Sequence, residues 1–258
     1  MPRQRVHKIM AKADIGSRRK CEAIIRAGRV RVNGKVIELG ASADPNEDVI
    51  LVDGERITES FEPLYIVVNK PKGVLSTNKA EKGDERPTIR EMIDLPGHLF
   101  TIGRLDADSE GLMILTNDGA LANRISHPRY EHTKTYKVTV KGKVSKATVD
   151  TWESGIWLDD SRTAACSVAL LQSSKRSTIL RLVMTEGRKR QIKRVAATLG
   201  HPVIRLVRTH IGQLGLGTLR KGAWYQLDED EVSAMLRPAV ELNAIRSKRR
   251  ERKRKARQ

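Results

Sequence analysis

Residues 103–119 read GRLDADSEGLMILTNDG, and no other stretch of the 258-residue chain narrows the fold as far. The stretch begins polar and turn-rich, with Arg104, Asp106, Asp108, Ser109, Glu110 and Gly111 in close succession. Four apolar residues follow, Leu112, Met113, Ile114 and Leu115, and a second turn, Asn117-Asp118-Gly119, stops them. An apolar run this short between two turns reads as a buried strand. A loop hung on such a strand carries its side chains on a rigid support, which suits a site. Asp106 is then the candidate working carboxylate and Arg104 the candidate cation for handling a substrate. Asp, Ser, Asn and Gly are also ordinary turn formers, so the loop alone leaves a plain turn open.

Residues 3–56, ahead of this stretch, read as a compact module. Val6, Ile9 and Met10 recur at helical spacing; Asp14-Ile15-Gly16-Ser17 breaks that helix, and Ser17 is placed to cap a second one over 18–27. In the second helix Cys21, Ile24 and Ile25 share a face that Arg18, Arg19, Lys20 and Arg26 avoid. Residues 29–36, RVRVNGKV, alternate basic and apolar around Asn-Gly, a hairpin signal that predicts buried valines and outward Arg29, Arg31 and Lys35. A helix N-terminus beside a basic strand edge would cradle phosphates.

After a linker at 58–63, the pattern predicts a strand over 64–68 and a turn at Asn69-Lys70-Pro71-Lys72-Gly73. An exposed charged loop over 78–85, a short helix over 87–92 and a strand over 100–102 then lead into the central motif. Beyond it come a helix over 120–125 and a strand over 134–140 that puts Tyr136 on one face. A helix near 146–153, strands over 164–171 and 178–184, a helix over 191–199, a strand over 203–207 and a helix over 229–236 complete the pattern. Strands in excess of helices, with hairpin-length links, predict an α+β fold. The expected organisation is a small α/β domain over 1–60, a larger domain over 61–240 with a mainly antiparallel mixed sheet flanked by helices, and a basic tail over 241–258. That tail has almost nothing apolar and is expected to stay disordered until it meets a partner.

Charge adds a partner class. The net charge is +18, and it is unevenly placed: +9 over residues 1–35, −6 over 36–60 and +8 over 246–258. Basic ends point to a polyanion, nucleic acid first. An anionic membrane surface competes less well, because no stretch has the apolar face of an interfacial helix. The two cysteines, Cys21 and Cys166, lack the spacing of a metal or redox pair and read as buried reduced thiols of a soluble intracellular protein. There is no phosphate loop, HExxH or paired CxxC, and the six histidines are scattered.

The central motif, GRLD followed by Ser, Glu-Gly, an apolar strand and Thr-Asn-Asp-Gly, resembles that of the pseudouridine synthases. It is most similar to the branch that modifies ribosomal RNA and carries an extra N-terminal RNA-binding domain (the RsuA/RluB type). Residues 3–56 correspondingly resemble the alpha-L RNA-binding domain of the ribosomal-protein S-four type, sharing its Ser-Arg-Arg helix start, Gly-Arg-Val and Val-Asn-Gly turn. The resemblance implies a cytoplasmic monomer that isomerises a specific uridine of ribosomal RNA, with a lean to the large subunit. The target would lie in a structured stem-loop and be flipped out, and the reaction would need no cofactor and no metal.

The same resemblance makes Asp106 the catalytic carboxylate, has Tyr136 stack on the target base, and pairs Asp106 with the basic residue after Gln-Ile in EGRKRQIKR, residues 186–194. The family more often has Arg there. Here it is Lys193, which supplies the charge but not the bidentate fork, and Arg194 is the alternative partner. Arg104, Lys70, Arg188, Arg190 and Arg194 would contact RNA from the larger domain, and Arg18, Arg19, Lys20, Arg29 and Arg31 from the smaller one. The alternative reading is a non-catalytic RNA-binding ribosome-assembly factor that keeps the fold without the activity.

Overall fold

A computed structural model describes residues 3–57 and 62–239; the basic tail and most of the 58–63 linker lie outside the described residues. The chain divides into two compact units, Met1–Leu64 with Asp94–Leu99, and Tyr65–Ile93 with Phe100–Gln258.

The first unit holds β1 (Gln4–Arg5), α1 (Val6–Lys12), α2 (Arg18–Arg26), β2 (Val30–Val32), β3 (Lys35–Val36), β4 (Ser42–Ala43), β5 (Ile50–Val52) and β6 (Glu55–Arg56). Ser17 caps α2, its hydroxyl accepting from Lys20 N–H at 3.2 Å. The helical spacing of Val6, Ile9 and Met10 meets that of Cys21, Ile24 and Ile25, and the two stripes close a core with Val30 and Ile50. The four-stranded antiparallel sheet runs β3-β2-β5-β6. Asn33 and Gly34 turn β2 into β3 with φ of 50° and 79°, the left-handed pair a two-residue hairpin needs. Of the valines expected inside, Val30 is fully buried but Val36 is half exposed, on β3 at the edge of the sheet. Asp94–Leu99 joins this unit, with His98 N–H donating to Asp14 Oδ1 at 2.7 Å.

In the second unit the elements are β7 (Tyr65–Lys70), β8 (Phe100–Thr101), β9 (Glu110–Thr116), α3 (Gly119–Ser126), β10 (Lys134–Lys141), α4 (Lys146–Ser154), β11 (Trp157–Leu158) and β12 (Ser161–Arg162). There follow β13 (Ser167–Ser173), β14 (Ser177–Met184), α5 (Gln191–Thr198), β15 (Val203–Ile211), β16 (Leu214–Gly215), β17 (Trp224–Gln226) and α6 (Glu229–Leu236). The sheet is ordered β13-β14-β10-β15-β9-β7-β17, and β9 pairs with β15 in parallel while the other pairings are antiparallel. The fold is therefore α+β with a mainly antiparallel mixed sheet, preceded by a small helical and sheet module.

All seven residues of β9 are buried, as an apolar run bounded by turns requires. One edge of β9 is shared: β15 pairs only with Glu110 and Gly111, and β8 takes Leu115 and Thr116. Where the ladder with β15 stops, the buried Arg208 side chain takes over, its Nε donating to the Leu112 carbonyl at 2.7 Å. Gly111 lets the two strands meet. Its φ is +109°, and a Cβ there would lie 2.2 Å from the Arg208 carbonyl oxygen.

The helix expected over 87–92 is absent. Thr88 instead bridges to Leu75, and Thr88 and Glu91 hydrogen-bond each other's backbone and side chain, closing a single turn before Pro96. β15 runs four residues past its expected end, and the β11–β12 hairpin was not anticipated.

Candidate active site

The loop ahead of β9 is held from below. The Lys70 side chain is fully buried, and its ammonium donates to the carbonyls of Pro71 (2.9 Å), Ser109 (2.9 Å) and Ala107 (3.4 Å). Ser76 Oγ donates to Leu105 O at 2.7 Å and accepts from Leu105 N–H at 3.1 Å, and Gly73 N–H reaches Ala107 O at 2.7 Å. Burial pushes the Lys70 amine down to about 8, with the Asp108, Glu110 and Asp106 carboxylates opposing that fall. Lys70 was expected to face RNA. It is instead an anchor under the loop, since a fully enclosed ammonium has no surface to offer a phosphate.

The Asp106–Ser109 turn is closed by Ser109 N–H donating to the Asp106 carbonyl at 3.0 Å. Onto its carboxylates comes Lys193, in the first turn of α5 and only 12% exposed. Its Nζ lies 2.8 Å from Asp106 Oδ2 and 2.9 Å from Ser109 Oγ, and it also donates to Asp108 Oδ1. Arg190 follows at longer range, 3.6 Å from Asp106 Oδ2 and 3.7 Å from Asp108 Oδ2. Two cations thus face two carboxylates. Burial alone would push the Asp108 carboxyl up, but hydrogen bonding and charge from Lys193, with Arg190 behind it, hold it below the usual carboxylate range. Of the two partners that the motif left open for Asp106, Lys193 makes the contact, and Arg194 turns away to Asp159 at 2.6 Å.

The segment that delivers Lys193 is organised by Glu186 and Gln191, for which the sequence reading gave no role. Glu186 accepts from Ala164 N–H (2.7 Å), Arg188 Nε (2.6 Å) and Gln191 Nε2 (3.0 Å), and Gln191 Oε1 accepts from Arg188 N–H (3.0 Å). This ring closes the loop before α5. Arg188, expected on RNA, spends its guanidinium on Glu186 and on the backbone of Ser161 and Arg162 in the β11–β12 hairpin. Arg190 sits at the N-cap of α5 in the left-handed region, φ 52°, with no side-chain cap. Such strain in a non-glycine residue is costly and tends to mark sites. Here it goes with a guanidinium aimed at the carboxylates, about half exposed at 47%.

Between these two loops lies a pocket of about 110 Å³, lined among others by Arg104, Asp106, Tyr136, Arg190 and Lys193. That is roughly the room of four waters, on the scale of one small planar ring. Tyr136 shares the face of Val138 and Val140, packs against their core and also reaches the pocket. A register shift between Thr135 and Tyr136 against β15 re-aims it, as bulges do beside sites. Arg104 is exposed at the rim. Beside the turn, Glu110 holds Arg205 at 2.8 Å and Lys221 at 2.9 Å, both about half exposed. Those hydrogen bonds, from Arg205 first, keep the Glu110 carboxyl low against the opposing effect of burial.

On the first unit Arg18, Arg19 and Lys20 are exposed at the start of α2, as are Arg29 and Arg31. Lys20 and Arg29 line a groove of about 680 Å³. Arg29 is bound through both guanidinium arms to Asp53, at 2.6 and 2.5 Å, and Arg31 donates to Gly34 O at 3.0 Å.

A carboxylate, an ammonium and an aromatic ring thus line one pocket on a mainly antiparallel mixed sheet, in a chain that begins with a small basic module. Residues 64–198 match the family described as RNA pseudouridylate synthase, and residues 4–49 match the S4 domain. The chain belongs to the RNA pseudouridylate synthase family. An RNA pseudouridine synthase of Aquifex aeolicus (strain VF5) is 41% identical over 248 residues, covering 95% of this chain and 98% of that protein. The ribosomal large subunit pseudouridine synthase B of Bacillus subtilis (strain 168) is 39% identical over 236 residues, covering 90% of this chain and 95% of the relative. A pseudouridylate synthase of known crystal structure is 32% identical, with a TM-score of 0.65 over 90% of this chain and 99% of that one. No helix among the described residues is long and apolar enough to cross a membrane.

Proposed function

We propose that this chain converts one uridine of ribosomal RNA, in the large subunit, to pseudouridine, with Asp106 as the catalytic carboxylate acting on a flipped-out base. The observation that carries the reading is the 2.8 Å pairing of Lys193 with Asp106 at a pocket also lined by Tyr136. Relatives named for the large ribosomal subunit supply the substrate class.

The reaction breaks the bond from ribose C1′ to uracil N1, turns the base and joins C1′ to C5, after which C5 gives up its proton. When the first bond breaks its electron pair stays on N1, and positive charge builds on the sugar. An ionised carboxylate favours that step by stabilising the charge and capturing C1′, or by removing a sugar proton to leave a glycal. Both cations approach Asp106 through Oδ2, so Oδ1 is the oxygen left for the sugar. Lys193 sets a positive charge 2.8 Å from Oδ2 of that carboxylate. Tyr136 stacks on the base, whose π-face it fits, and stands by for the departure of the C5 proton. Arg104 fills the space the base vacates or holds its phosphate, and Arg190 grips the phosphate of the target nucleotide. The first unit docks the stem-loop through Arg18, Arg19 and Lys20, with Arg29 and Arg31 beside them.

The test is carbodiimide mapping of pseudouridine in ribosomal RNA from cells with and without this gene, complemented by wild type or Asp106→Asn. One site should lose its mark and regain it with the wild type only. If every site is unchanged, the chain acts on another RNA or binds without catalysis, and the ribosomal assignment fails.

A further inference from the structure

Lysine at position 193 raises a geometric problem that the turn itself answers. An arginine would hold a carboxylate with two parallel N–H bonds, but an ammonium is a point charge on a flexible stem and has no fixed orientation toward one partner. It does have three N–H donors and no acceptor. Around Lys193 Nζ stand three acceptors, Asp106 Oδ2, Asp108 Oδ1 and Ser109 Oγ, all from one turn of the chain. Ser109 is itself immobilised, being 1% exposed with its carbonyl bound by buried Lys70. Asp108 is an odd residue to serve structure alone. Both of its ion-pair partners, Lys193 and Arg190, are the cations that face Asp106.

We propose that Asp108, with Ser109, is the positioning residue that fixes Lys193 on Asp106, and the counter-charge that keeps Lys193 paired when Asp106 is consumed. The inference rests on reading Asp106 as the catalytic carboxylate. Whether Asp106 bonds to C1′ or takes a sugar proton, its negative charge disappears. Lys193, only 12% exposed, would then be a nearly enclosed cation without an anion, which is costly. Asp108 removes that cost. The pair Asp106–Asp108 is thus one carboxylate for the chemistry and one for the lysine.

The experiment compares single-turnover rates at saturating RNA, using unmodified transcripts of both ribosomal RNAs, for Asp108→Ala and Asp108→Asn. Each is made in the wild-type and in the Lys193→Arg background. Asp108→Ala should slow the chemical step about tenfold or more, with RNA affinity within about threefold. In the arginine background the same change should cost less than about threefold, because the fork holds Asp106 without a third acceptor. Should Asp108→Ala lower the melting temperature, the near-isosteric Asp108→Asn decides through the same comparison of the two backgrounds. An unchanged rate or an equal loss in both backgrounds overturns the proposal. Asp106→Asn is run alongside: if that variant turns over normally, the catalytic reading itself falls. If it is dead while the Asp108 variants behave as wild type, only the present inference falls.

Discussion

Asp106 has a side chain one-third exposed, yet it lies against an ammonium that is almost enclosed. Replacing it with Asn tests chemistry with little disturbance of structure. The amide oxygen can still accept from Lys193, and Asp108 and Ser109 still hold the ammonium. With those acceptors left in place and Asp106 itself one-third exposed, the change should cost folding about 1 kcal/mol or less. Asp106→Asn should therefore lower pseudouridine formation about a thousandfold or more, the scale for losing a nucleophile or base. Its melting temperature should barely move, and RNA affinity should stay within about threefold, because affinity comes mainly from phosphate contacts. Single-turnover assays beside filter binding separate the three quantities. A variant that lost affinity in step with rate would make Asp106 a binding residue.

One scale up, β7 and β9 carry the site between them, and each has a residue that could not be exchanged quietly. At Gly111 a methyl group would meet the backbone of Arg208 at 2.2 Å, in a conformation of φ +109° that L-residues avoid. Gly111→Ala should destabilise the protein by about 2–4 kcal/mol, read as a lower urea midpoint at constant slope. Lys70 makes a different, pH-dependent prediction. Its amine gives up its proton near pH 8 in the folded chain, against 10.5 when unfolded. Below pH 8 both states hold the proton and the cost of burying the charge is present in full. From pH 8 to 10.5 only the unfolded chain holds it, so the contribution of this group to stability rises with pH, by on the order of 3 kcal/mol in all. Wild type should accordingly gain on Lys70→Met between pH 7.5 and 10 in urea unfolding. A flat difference would mean that the amine titrates alike in both states. These elements also show what a sequence discloses. β9, α2, α6 and the Asn33-Gly34 hairpin were legible because their signals are local: an apolar run between turns, a helical stripe behind a cap, a left-handed pair. The pairing of Asp106 with Lys193 was legible only through the motif, being 87 residues apart. The burial of Lys70 and the anchoring of Arg188 on the β11–β12 hairpin were not, since charged residues read as surface until long-range contacts enclose them. Asp108 was in view within the turn, but only the approach of α5 reveals what it holds.

Across the whole chain, most of the net charge and the candidate chemistry fall in different segments of the sequence. The contacts that build the pocket, from Lys70 through Asp106 to Lys193, all lie within the second unit. Much of the net charge of +18 comes instead from residues 1–35 and from 246–258. Affinity for a polyanion grows with the number of phosphates neutralised, and log affinity falls against log salt with a slope of about −0.7 to −0.9 per phosphate contact. Replacing Arg18, Arg19 and Lys20 together with alanine should then weaken RNA binding and flatten that slope by about two, since the three are exposed at one helix start. Removing residues 246–258 should flatten it further. Neither change touches a residue that lines the pocket, so the single-turnover rate at saturating RNA should stay within about twofold of wild type. Titrations from 50 to 300 mM salt, with rates taken at RNA concentrations adjusted to saturation, separate the two effects. A slope that does not change in either variant would remove those residues from the interface. A fall in the saturated rate would mean that they position the uridine as well as hold the RNA.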